Sequence, residues 1–137
     1  MAISRRKFVG FTLASAAAGS LGATASLAAS ETRSGSLSGR RGYNVTGTVQ
    51  VVKDGGSTQV VFSDDYQFDP TKNPPDIKIA FGNGEEYAQG SHIHNELTVK
   101  SGAASFDVPA SIDTDQYSEL YIYCEQFTVI LAVAPLN

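Results

Sequence analysis

The chain has one cysteine, Cys124, and its one methionine is the initiator. A lone thiol forms no intrachain disulfide, so no covalent staple holds this fold. No Cys-x-x-Cys pair, no glycine-rich phosphate loop ahead of a helix and no nucleophile elbow occurs. Their absence removes dithiol, nucleotide-phosphate and serine-hydrolase chemistry from consideration. A blue-copper centre takes two His, one Cys and usually an axial Met. Here His92 and His94 both precede Cys124, none follows it, and no Met remains for the axial position. Beyond the first 28 residues, no window of ten or more holds a clean 3.6-residue period, which excludes long amphipathic helices.

What is present at the start reads as an export segment. Ser4-Arg5-Arg6-Lys7-Phe8 precedes an apolar, Ala- and Gly-rich run to Leu27 and then Ala28-Ala29. A basic start, a mildly hydrophobic run and small residues make a cleaved signal, and the paired arginines point to the twin-arginine translocase. The run contains Thr12, Ser15, Ser20, Thr24, Ser26 and three glycines, a poor membrane span, so no transmembrane anchor is expected. Residues 1–28 are therefore read as the signal, and the mature protein is expected in the periplasm or secreted. Cleavage would remove Arg5, Arg6 and Lys7, leaving seven basic residues against 14 acidic ones, a formal charge of −7. Such a surface repels phosphate backbones and anionic lipid, so nucleic acid is not an expected partner.

The remaining chain, about 109 residues, suits a single domain. Residues 29–42 are small and polar and read as a flexible leader. From Tyr43 the pattern changes to alternation, with Tyr43, Val45, Val49 and Val51 set against Asn44, Thr46, Thr48 and Gln50. Asp54-Gly55-Gly56 signals a hairpin turn, followed by a return strand from Thr58 to Ser63. Further strands are expected around Ile77–Phe81, Leu97–Lys100, Ala104–Val108 and Tyr117–Cys124. The last, Phe127–Val133, is apolar on both faces and expected to be central. Pro70 and Pro74-Pro75 mark an irregular crossover that no strand ladder accepts. Seven to eight short, mostly antiparallel strands make residues 43–137 an all-β sandwich or barrel.

Three groups of residues can carry chemistry. His92 and His94 stand two apart, a spacing that lets two imidazoles on a strand share a metal, though a pair falls short of the ligands zinc needs. Asp64, Asp65 and Asp69 form an acidic turn, either a solvated surface or a calcium site. Cys124 shares a strand face with Leu120 and Ile122, which suits a small core hydrophobe. Glu125 disfavours a thiolate, and no Lys or Arg lies within ten residues on either side. The thiol is thus either a core residue or a redox or ligand atom.

Several segments from Tyr43 onward resemble the DM-thirteen domain family. They are Val45-Thr-Gly47-Thr-Val49, Val61-Phe62-Ser-Asp64-Asp65-Tyr66-Gln-Phe68, Pro75-Asp76-Ile77-Lys-Ile79, the stretch from Gly102 to Asp113 containing Val108-Pro109, and Tyr117 to Val129 around Cys124. Two positions depart from the family pattern. Tyr123 stands where Trp is frequent, and Pro74 stands where a Gly commonly precedes Pro-Asp. The resemblance implies an extracytoplasmic electron-transfer accessory with an unidentified redox partner. It assigns the redox role to Cys124, as a free thiol or as a ligand to a prosthetic group such as haem. The bottom-up alternative is a sandwich that binds a ligand or surface glycan, with Cys124 in its core and no catalytic residues.

Overall fold

Short alternating segments pair into two sheets because each buries one row of side chains and leaves its backbone to be satisfied by a neighbour. The structure is a computed structural model that describes residues 30–137. The export segment lies outside the described residues. The described strands are β1 (Ser30–Ser36), β2 (Ser38–Gly39), β3 (Thr48–Asp54), β4 (Ser57–Phe62), β5 (Ile77–Asn83), β6 (Glu86–Tyr87), β7 (Ala104–Asp107), β8 (Glu119–Cys124) and β9 (Val129–Pro135). A 3₁₀ turn, Thr114–Gln116, precedes β8. Among the described residues no helix is long and apolar enough to cross a membrane.

One sheet has the order β1-β3-β4-β7 and the other β2-β9-β8-β5-β6. In the second, β8 pairs antiparallel with both β5 and β9, placing Ile77 opposite Cys124, Ile79 opposite Ile122 and Phe81 opposite Leu120. The all-β expectation is met as a two-sheet, sandwich-like arrangement and not as a closed barrel. A register shift between Ile130 and Ala132 leaves Leu131 as an extra residue in β9, where its carbonyl accepts the Arg40 N–H at 2.8 Å. The β3–β4 turn is Gly55-Gly56, both at positive φ, as the Asp-Gly-Gly signal predicts.

Val49, Val51, Val60, Phe62, Ile77, Ile79, Phe81, Leu120, Ile122 and Cys124 belong to one buried cluster. The other face of the second sheet is also covered. Ala80, Tyr121, Tyr123 and Val133 form a smaller cluster there, with Tyr87 and Ile130 packed on it. Strand β8 is therefore apolar on both faces and lies mid-sheet, whereas β9, expected to be central, has only the two-residue β2 beyond it.

Two expectations are corrected. Residues 30–39, read as part of a flexible leader, form β1 and β2, and Leu37 between them is buried. Backbone pairing, which needs no apolar side chains, recruits this segment, and the Leu37 N–H donates to the Gly47 carbonyl at 2.8 Å. Leu97–Lys100 is not a strand. Instead residues 88–97 follow β5 irregularly, with the N–H groups of Ala88, Ile93 and Leu97 donating to the carbonyls of Phe81, Ile79 and Ile77. Five residues separate the first two contacts on the loop against two on β5, so the loop bulges outward at Gly90, with His92 near its rim.

Candidate functional site

Cys124 ends β8, fully buried between Ile77 on β5 and Val129 on β9. Its Sγ–H donates to the Pro75 carbonyl at 3.1 Å. The backbone turns over the thiol at Asp76, which holds a left-handed conformation (φ 57) that a short Asp side chain tolerates. The Asp76 carbonyl accepts the Glu125 N–H at 3.0 Å, tying this cap to the residue after the thiol. Pro74-Pro75 is the irregular crossover expected from the sequence, and its place is directly above the sulfur.

A haem ligated by Cys124 does not fit this arrangement. The sulfur has no exposed surface, its cluster neighbours are close-packed aliphatic and aromatic side chains, and its proton already has an acceptor. A planar macrocycle would have to displace both the core and the cap.

On the opposite face of the same sheet, the side chains that alternate outward from β5 and β8 form a polar cluster beside aromatic rings. Lys78, only 8% exposed, bonds through Nζ to Asp76 Oδ1 and to Glu125 Oε1, the latter at 3.0 Å. Burial alone pulls its ammonium pKa down, but the hydrogen bonds to Asp76 and Glu125 outweigh it, and the net direction is up. The second Glu125 oxygen lies 3.4 Å from His92 Nε2, and His92 Nδ1 lies 2.7 Å from the Tyr87 hydroxyl. Tyr87 stacks on Tyr123, with centroids 4.3 Å apart and planes at 15°. Burial, helped by the charges of Tyr87 and Glu125, raises the Tyr123 phenol pKa. An open hollow of about 430 Å³ is lined by these two tyrosines together with Arg40, Arg41 and Ile130.

The two histidines do come together, their rings edge to face at 5.4 Å. His92, however, has a protein partner at each nitrogen, while His94 is exposed. Among the described residues no group of three or more His, Cys, Asp or Glu is placed to hold a metal ion.

The three aspartates are not gathered either. Asp64 is exposed, and Asp65 accepts from the Thr48 N–H and hydroxyl, each at 3.0 Å. Asp69, buried, accepts from the Asn44 N–H, the Thr71 N–H and the Thr71 hydroxyl. The acidic turn thus satisfies backbone donors between strands. The Thr71 hydroxyl, followed by the N–H groups of Thr71 and Asn44, holds the Asp69 carboxyl below the ordinary carboxylate range. A depressed folded pKa contributes stability above the unfolded value, and that stability is lost as pH falls through the folded value. Asp69→Asn is therefore expected to lower the thermal midpoint at neutral pH and to flatten its acid dependence. Thermal melts of both proteins across the acid range check this, and superimposable acid limbs would remove Asp69 from the account.

Sequence reasoning singled out Cys124, His92 and His94 but did not see Lys78, Glu125, Tyr87 and Tyr123 as a group. The one available signal was Asp76-x-Lys78 alternating outward on an apolar strand. A family model described as electron transfer DM13 matches residues 37–136. No curated protein and no solved structure matches the chain.

Proposed function

The chain belongs to the electron-transfer DM13 family, and on that premise we propose an exported electron-transfer accessory in which Cys124 is a free redox thiol under a movable cap. The observation that carries this reading is the position of the sulfur. It lies at the end of β8, beneath Pro75 and Asp76, which precede β5 and belong to no strand, in a segment held by the thiol bond, the Glu125 amide and the Lys78 ion pair. Lifting that segment frees the thiol without opening the β5–β8 ladder. Once deprotonated, Cys124 attacks a partner disulfide, forming a mixed disulfide and releasing one partner thiolate; a second thiol reverses the exchange. An oxidising compartment supplies such partners.

Thiol labelling of the folded chain tests it. The native protein is expected to react with a maleimide faster than its global unfolding rate allows. Cys124→Ala and Cys124→Ser are expected to fold, the serine retaining a donor for the Pro75 carbonyl, and to form no mixed disulfide. A thiol that reacts only after unfolding hands the case to a second reading, a ligand-binding sandwich with Cys124 as a core residue. Complete burial of the sulfur and the tyrosine-lined hollow favour that second reading.

Export rests on Ser4-Arg5-Arg6-Lys7-Phe8. Replacing Arg5 and Arg6 together by Lys is expected to leave the chain uncleaved in the cytoplasm, as fractionation and mass spectrometry would report. Normal export of that double variant would assign the chain to the general secretory route.

A further inference from the structure

We propose that Tyr87 is a second redox site, a phenol that gives up one electron while its proton passes to His92 Nδ1. The proposal rests on the electron-transfer reading of the family and is independent of Cys124.

Hydrogen-bond directions support it. The Gly90 N–H, which can only donate, points at the Tyr87 hydroxyl oxygen at 3.3 Å. With one lone pair so occupied, the hydroxyl hydrogen is directed at Nδ1, 2.7 Å away and within the reach of a positioned base, in the tautomer whose Nδ1 is bare. With Nδ1 accepting, neutral His92 carries its hydrogen on Nε2, facing Glu125 Oε2 at 3.4 Å. When the phenol proton arrives, the resulting imidazolium sits beside a carboxylate whose other oxygen is held by Lys78. Glu125 thus orients the ring and stabilises the charge that forms on it.

Other tyrosines lack this arrangement. Tyr66 donates to the Val99 carbonyl, which is no base at working pH. Tyr121 donates to the Glu119 carboxylate at 2.7 Å, ordinarily a far weaker base than imidazole. Burial raises the pKa of both phenols, so neither offers a phenolate. Among the described tyrosines, Tyr87 alone hydrogen-bonds to a nitrogen base.

Access and delocalisation also favour Tyr87. Its half-buried ring borders the open hollow, where a redox partner can approach, and the Tyr123 ring stacks on it with centroids 4.3 Å apart. The Tyr87 O–H bond breaks, its proton forms a bond to Nδ1, and one electron leaves to a high-potential one-electron oxidant, an oxidised metalloprotein or metal complex. A neutral tyrosyl radical and an imidazolium remain. A reduced metalloprotein or metal complex then supplies one electron to the radical, the N–H bond at Nδ1 breaks, and the proton returns to the Tyr87 oxygen.

The test uses the purified full chain with photogenerated tris(bipyridyl)ruthenium(III) as oxidant, followed by rapid freezing and electron paramagnetic resonance. A tyrosyl radical is expected in the unmodified protein, absent in Tyr87→Phe and retained in Cys124→Ala. His92→Gln keeps an acceptor for the phenol but removes its basicity, and is expected to slow radical formation by about a hundredfold, the low end for a positioned base. In heavy water the unmodified protein is expected to react more slowly, a measurement that needs no variant to fold. A radical that persists in Tyr87→Phe, an unchanged rate in His92→Gln or no solvent isotope effect would overturn the proposal. Loss of the radical in Cys124→Ala would assign the electron to the thiol and overturn it as well.

Discussion

A Phe62→Ala variant is expected to lose about 3–5 kcal/mol of stability, the cost of removing a large aromatic side chain from a close-packed core. Phe62 is fully buried and meets Tyr66 edge-on at 4.5 Å and Phe106 at 5.6 Å, so deletion removes two ring contacts as well as apolar area. A domain of this size holds roughly 5–15 kcal/mol in total, so the loss is a large share of it. Urea unfolding is the check: the midpoint should fall sharply while the slope stays constant. A shift below about 1 kcal/mol would mean the cavity collapses or that the ring is not packed as described. The consequence reaches function, because Phe62 and Cys124 belong to the same buried cluster. Maleimide labelling of Cys124 in this variant should therefore accelerate together with unfolding. Opening of the Pro75 cap alone, in the unmodified protein, would leave unfolding unchanged.

Much of this architecture is readable from alternation. Val49 and Val51, Val60 and Phe62, Ile77, Ile79 and Phe81, and Leu120, Ile122 and Cys124 all face the core as their spacing predicts. What alternation cannot report is pairing that uses backbone alone. Residues 30–39 carry Ser, Gly and Thr and a single Leu, a composition that reads as leader, yet they complete the edges of both sheets. The segment from Ala88 to Leu97 fails in the opposite direction. It satisfies β5 with only three amide bonds, so its apolar Ile93 and Leu97 are buried without strand periodicity.

The site divides along the same line. Cys124 and its apolar face are local facts, visible in six residues. The contact of Lys78 with Glu125 spans 47 positions and exists only because β5 and β8 are paired. Tyr87 and His92 are five apart, yet their hydrogen bond depends on a bulged loop laid over the outer face of the sheet. The aspartates read two ways for a physical reason. A carboxylate that accepts backbone N–H groups at a turn and one that binds calcium look alike in sequence, and only the donors around Asp65 and Asp69 tell them apart.

Gly47→Ala is expected to cost about 3 kcal/mol, although it adds one methyl group and removes no contact. Gly47 has φ +121, a conformation closed to residues with a Cβ. An added Cβ would lie 2.5 Å from Tyr66 Cα and 3.0 Å from the Asp65 carbonyl oxygen, both backbone atoms that cannot swing aside. The neighbours on each side are fixed as well. Thr46 and Gln67 exchange two backbone hydrogen bonds of 3.0 Å, each N–H donating to the other's carbonyl, and the Gly47 carbonyl accepts the Leu37 N–H. The methyl must therefore push the acidic turn away from β3, and with it Tyr66, whose hydroxyl reaches the Val99 carbonyl. Gly84→Ala is the matched control, since Gly84 also has positive φ (+62) but nothing within 4 Å of a built Cβ. That variant should lose only about 1 kcal/mol, the conformational term alone. A gap of about 2 kcal/mol between the two, measured by denaturant unfolding, reports the backbone approach at Gly47 together with its less accessible dihedral angle. Equal losses would show that the turn from Asp64 to Phe68 can retreat freely, and that β3 is not locked by it.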